Sequence, residues 1–348
     1  MSDKINLGIE VHDFRNGVVT ENIPLSNLKG NLLISGGARG ERTALLSHVL
    51  NQIHAEFPDI GVLLIQLGSN EDTYLYNLDK VYEYGDPELI IPYFAGEEFT
   101  EVNREQFTRY INAIFGFHFE MRVVISILTR HYKRGSLPGS IVDFLEDLKR
   151  SLIKNPYSEE FTESNLRSFD KAIKIFEEDP ILERAISIPL RIPEILRLWR
   201  NGEKICIDLS KCDIQHQKLL VIIIVQAIKN YVGMNNSSNP TGIVVIEDAD
   251  YILKKTPHEE YRRNYELNRE YCRQIEEECY FLTKEQIEEA FGDNNYLMNV
   301  QLEEVYYDLI CTEYRYRNIA LITVCEDIAG IYGFIASHSQ IKLSIDKC

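Results

Sequence analysis

The stretch GNLLISGGARGERTALLSHVL, residues 30–50, constrains the fold more than any other part of the chain. An apolar run, Leu32-Leu33-Ile34, enters a glycine-rich turn and leaves it with helical spacing. A strand that passes through such a turn into a helix is the layout of a phosphate-binding loop, G-x-x-x-x-G-K-[ST]. The layout works because backbone N–H groups at the helix N-terminus point at phosphates and glycine lets the backbone come close. The positions here are Gly36-Gly37-Ala38-Arg39-Gly40-Glu41-Arg42-Thr43. The first glycine and the threonine fit, whereas Glu41 stands at the second glycine and Arg42 at the lysine. Candidate phosphate-binding residues are Gly36, Gly37, Gly40, Arg42 and Thr43. The Thr43 hydroxyl is also a candidate Mg2+ ligand.

The flanking segments extend this into an α/β pattern. Thr43 to Phe57 reads as a helix, with Leu45, Leu46, Val49, Leu50 and Ile53 at helical spacing and Pro58 ending it. GVLLIQLG is then a near-continuous apolar strand, as in a parallel sheet covered on both faces. KICIDLS (204–210), GIVVIEDAD (242–250), NIALITVCED (318–327) and QIKLSI (340–345) are further strands, and KLLVIIIVQAIKNYV is an apolar helix. Strands alternating with helices predict a mostly parallel, doubly wound sheet. Before the loop, INLGIEV, Asn16-Gly17 and VVTENI predict a β-hairpin. Residues 99–200 carry long helical periodicities and predict an inserted helical subdomain, between a first core part (1–98) and a second (201–348). The second part contains an acidic helical insertion over 251–312.

Composition narrows the function classes. The net charge is −17, so the whole surface is not built for nucleic acid, which needs clustered cations. The seven cysteines include no C-x-x-C pair, which fits reduced thiols in a cytoplasmic protein and argues against a zinc site. No run of about 18 uninterrupted apolar residues indicates a membrane span, and MSDKINLGIE has no apolar leader segment.

A nucleotide site also needs an acidic pair from a second strand, one carboxylate for the metal and one to orient the attacking water. Ile243-Val244-Val245-Ile246-Glu247-Asp248 supplies four apolar residues followed by two acids. Solvated acids at a strand end are the bland alternative.

Taken together, these segments resemble the HerA/FtsK branch of P-loop ATPases, above all the HerA-like DNA-translocating hexamers. ISGGARGERTALLSHVL is similar to the family's Walker A segment and GIVVIEDADYIL to its Walker B segment. EYRYRNIALITVCED is similar to the segment whose arginine reaches an adjoining subunit's nucleotide. The resemblance implies a RecA-like core, ATP and Mg2+ as cofactors, and assembly into a homo- or hetero-oligomeric ring, typically a hexamer, around double-stranded DNA. It implies metal binding by Thr43 and Glu247, a catalytic role for Asp248, a sensor position at Glu326 and an inter-subunit arginine at Arg315. A partner nuclease or an active paralogue would accompany it, with no membrane involved. The family's N-terminal β-barrel is expected to be missing.

The departures weaken the expected chemistry. Typical members have Gly at Arg39 and Glu41, Lys at Arg42, Asp-Glu at Glu247-Asp248, and Gln at Glu326. Glu41 puts a side chain into a tight turn, with strain that depends on φ, and a carboxylate beside a triphosphate. At an effective dielectric near 20 that repulsion costs roughly 4 kcal/mol per charge pair, close to a thousandfold in affinity. Arg42 can restore part of it, since guanidinium binds phosphate well; the alternative is that Arg39 pairs with Glu41. Asp248 is one methylene shorter than the usual acid, and such misplacement costs about a hundredfold. The expectation is a degenerate site with weak or lost hydrolysis in a structural or regulatory subunit. The alternatives are an active ATP-driven DNA translocase or helicase, and a protein-binding module on a retired ATPase fold. Arg130, Lys133 and Arg134 in TRHYKRG are the candidate DNA contacts.

Overall fold

A computed structural model describes residues 4–6, 22–24, 27–28, 31–69, 73–92, 140–154, 170, 173–174, 176–187, 194–232, 240–253, 306–307, 314–331 and 333–345. The predicted strands form a seven-stranded, all-parallel sheet. In chain order these are β3 (Leu32–Gly36), β4 (Gly61–Gln66), β5 (Lys80–Glu83), β8 (Lys204–Asp208), β9 (Gly242–Glu247), β10 (Ile319–Cys325) and β11 (Ile341–Ile345). In space the order is β11-β3-β10-β9-β4-β8-β5. β10 therefore lies between the glycine-turn strand β3 and the acid-bearing strand β9. β5, at the edge, was not expected from the sequence.

The central strands read as continuous apolar runs because both faces are covered. One face of the sheet packs with α1 (Arg39–Glu56), burying Leu46, Val49, Leu50 and Ile53. The other packs with α2 (Ile141–Ile153), α3 (Pro180–Ala185), α4 (Glu194–Arg200) and α5 (Ile214–Tyr231). Trp199 of α4 is fully buried and donates its indole N–H to the Ile243 carbonyl at 3.1 Å. Gly61 and Gly242 leave room for this helix, since a Cβ at Gly242 would stand 2.3 Å from the Trp199 ring.

Of the expected helical subdomain, α2, α3 and α4 are described; the segments at 99–139, with Arg130, Lys133 and Arg134, lie outside the described residues. Two short strands, β6 (Ile91–Pro92) and β7 (Ile186–Ser187), pair in parallel, one ahead of this region and one within it. β1 (Lys4–Asn6) and β2 (Asn22–Pro24) pair antiparallel. The expected Asn16-Gly17 turn lies outside the described residues. Most of the acidic segment 251–312 is also outside them. No described helix is long and apolar enough to cross a membrane, and the three described cysteines are buried free thiols.

Candidate functional site

The glycine turn is shorter than the sequence suggests. β3 ends at Gly36 and α1 begins at Arg39, so the helix starts ahead of the expected Thr43. Gly36 and Gly37 make this possible, with φ of 82° and 60°, in the left-handed region that glycine enters without a Cβ penalty. A Cβ at Gly36 would also stand 2.2 Å from the Ile345 carbonyl oxygen at the end of β11. Gly40 and Glu41 consequently sit in the first helical turn. Glu41 is not among the residues with positive φ, so the backbone strain considered for it is absent.

The Glu41 carboxylate turns back instead. Its Oε2 accepts the Ala38 N–H at 2.6 Å. This is the reach-back half of a capping box, and it satisfies a helix-terminal donor that would otherwise face a ligand. Arg39 does not pair with Glu41. It reaches Asp248 at 3.2 Å and also donates to the Ser69 carbonyl. Arg42 is buried, donating to the Gly36 and Gly37 carbonyls at 3.1 Å each, with Asp248 3.8 Å away.

The acids arrive as the strand pattern requires. Glu247 is the last residue of β9 and Asp248 follows in the left-handed region, with φ of 54°. Aspartate tolerates that conformation better than most residues. Gly68 makes space for it, because a Cβ there would lie 2.0 Å from Asp248 Oδ2. Burial raises the Asp248 carboxyl, and Arg39 and then Arg42 oppose that rise.

Glu247 is the other half of the arrangement. Thr43 donates its hydroxyl to Glu247 Oε1 at 3.2 Å, bridging the first turn of α1 and the end of β9. The Tyr76 phenol donates to the same oxygen. Glu247 Oε2 is buried with no hydrogen-bond partner. Burial pushes the Glu247 carboxyl up to about 7, with the Asp248 charge adding to the rise and the Tyr76 and Thr43 hydrogen bonds opposing it.

Glu326 follows β10 and so stands between the two loops. Its carbonyl accepts the Gly36 N–H and its own N–H donates to Asp250 Oδ1, both at 3.1 Å, while its side chain is exposed. Arg315 is in the short helix α6 (Tyr314–Arg317) before β10; its side chain lies outside the described residues. It precedes a seven-residue strand whose far end bears the site, roughly 20 Å away at about 3.3 Å per residue. Tyr306 and Tyr314 are buried core residues, and Tyr307 and Tyr316 are exposed. His48 lies on the outer face of α1 beside Gln52.

A divalent cation fits the Thr43–Glu247 pair: two oxygen-bearing side chains meet at 3.2 Å, and the buried Glu247 Oε2 needs a partner. A triphosphate does not fit the loop as it stands. Glu41 occupies the Ala38 N–H, and both arginines are turned onto Asp248 and backbone carbonyls.

No protein family and no curated protein matches the chain by sequence. Solved structures do match. VirB4 of Thermoanaerobacter pseudethanolicus superimposes with a TM-score of 0.55 over 98% of this chain and 84% of that one, at 10% identity. The bacterial conjugative coupling protein TrwBΔN70, in complex with sulphate, gives 0.51 over 93% and 72%, at 9% identity. The plasmid coupling protein TrwB in complex with ADP and Mg2+ gives 0.51 over 92% and 71%, at 10% identity. The fold is a RecA-like P-loop core. Within that RecA-like fold, Gly36–Thr43 and Glu247-Asp248 meet across β10. Tyr76, Ser69, Gly68 and Ile345 also belong to the site, and no local sequence signal marks them.

Proposed function

We propose that the chain is a divergent HerA/FtsK-like ATPase-fold subunit with weak or lost ATP hydrolysis. Its role is structural or regulatory, in a ring-shaped DNA-processing assembly. The observation that carries this reading is the closed charge arrangement of the loop. Glu41 takes the Ala38 N–H, and Arg39 and Arg42 neutralise Asp248, the carboxylate that would orient water. The likeness to VirB4 and TrwB supports the RecA-like core, and TrwB itself was solved with ADP and Mg2+. The reading keeps the division into 1–98, 99–200 and 201–348. The place of Arg315, at the far end of β10 from its own site, suits an arginine offered to a neighbouring subunit. Duplex contact falls to Arg130, Lys133 and Arg134, whose effect is local against a net charge of −17.

A second reading, an active ATP-driven translocase, draws on the Thr43–Glu247 contact and its free Oε2. Steady-state ATP turnover with Mg2+, alongside light scattering, separates the two. Background turnover by a ring-sized particle is expected, alone or with a paralogue. Rapid turnover would establish the translocase reading, and a strict monomer under every nucleotide condition would remove the ring.

A further inference from the structure

Tyr76 is a buried tyrosine that the phosphate-loop and acid-strand motifs do not include. It closes a short 3-10 turn, Thr73–Tyr76, that follows the loop after β4. The turn is held to α1 by the Ser47 hydroxyl, which donates to the Leu75 carbonyl. Tyr76 is fully buried and its phenol donates to Glu247 Oε1, the oxygen that Thr43 also contacts at 3.2 Å. One carboxylate oxygen thus takes two donors while the other is buried with none. A tyrosine phenol ordinarily titrates at about 10, so at neutral pH it is protonated and a donor.

A lone threonine leaves a carboxylate free to turn about its terminal torsion, which is broad and roughly two-fold. A second donor on the same oxygen restricts that freedom and with it where Oε2 points. We propose that Tyr76 is the positioning residue of a divalent-cation site formed by Thr43 and Glu247, locking the carboxylate so that Oε2 and the threonine lone pairs face one ion. The location rests on the nucleotide-site reading above; the proposal does not require that ATP be hydrolysed. A hard cation takes oxygen ligands in a demanding geometry, so a mis-turned carboxylate loses affinity. Partners that orient a ligating group are typically worth tenfold to a hundredfold in metal affinity.

The test uses the full chain with Mn2+ as the probe, titrated by electron paramagnetic resonance in the presence of ADP, and ADP affinity measured without metal. Tyr76→Phe keeps the ring and removes the donor. Mn2+ affinity is expected to fall about tenfold, with metal-free ADP affinity unchanged. Glu247→Gln should lower Mn2+ affinity further, and adding Tyr76→Phe to it should have no additional effect, as for two residues acting through one group. Unchanged Mn2+ affinity in Tyr76→Phe overturns the assignment, as does an equal fall in metal-free ADP affinity, the signature of a merely structural role. Where wild type binds no ADP, the titration is run in Glu41→Ala, which clears the Ala38 N–H. Absence of Glu247-dependent Mn2+ binding in both backgrounds also overturns it. Fast ATP turnover by wild type would defeat the weak-hydrolysis reading and leave the Tyr76 assignment standing.

Discussion

Glu41→Ala should open the phosphate cradle. In wild type a phosphate must displace the carboxylate from the Ala38 N–H, a bond of 2.6 Å to a charged acceptor. Hydrogen bonds to charged groups contribute about 1.5–3 kcal/mol, and the lower figure applies because Glu41 is exposed. Exposure also lowers the like-charge repulsion from the roughly 4 kcal/mol of a partly buried pair to about 1 kcal/mol at 4 Å in water. The two effects together come to about 2.5 kcal/mol, or close to 60-fold in affinity. The assay is calorimetric titration of ATP with Mg2+ into wild type and variant. Glu41→Gln separates the contributions, since it keeps an acceptor for Ala38 and loses the charge; it should gain only about fivefold. Alanine is preferred to glycine because position 41 is helical, where glycine costs about 1 kcal/mol. Equal ATP affinity in wild type and Glu41→Ala, with unchanged circular dichroism, would refute the reasoning. Glu41 would then not stand where a phosphate binds.

Two further outcomes test the site's electrostatics and geometry. Glu247 is raised from 4.5 to about 7 by burial, so the folded protein binds a proton more readily there than the unfolded chain. Its contribution to stability must therefore fall as pH rises from 4.5 to about 7 and stay level above, and chemical denaturation of Glu247→Gln should lack that segment of the pH slope. Gly36→Ala should destabilise by at least about 1–2 kcal/mol, the cost of the left-handed region for an L-residue, because a Cβ would also meet the Ile345 carbonyl at 2.2 Å. An unfolding midpoint equal to wild type would contradict the turn geometry.

The sequence alone determined the architecture. Apolar runs such as Val62–Ile65 and Ile243–Ile246 are legible as doubly covered parallel strands because both faces need the same chemistry. The glycine turn and the acids were equally legible, since a strand-turn-helix and a strand ending in Glu247-Asp248 are local patterns. Boundaries were less so: α1 starts at Arg39 because two positive-φ glycines complete the reversal, and φ is not written in a run of letters. Pairing was decided only by tertiary structure. Strand order puts β10 between the loop and the acids, and side-chain reach then decides which charges meet. Arg39 thus finds Asp248 and not the nearby Glu41, while Tyr76 finds Glu247 across 171 positions of sequence separation. Coulombic attraction and hydrogen bonding act over a few ångströms of space, so residues far apart in the chain become partners only once the sheet has formed.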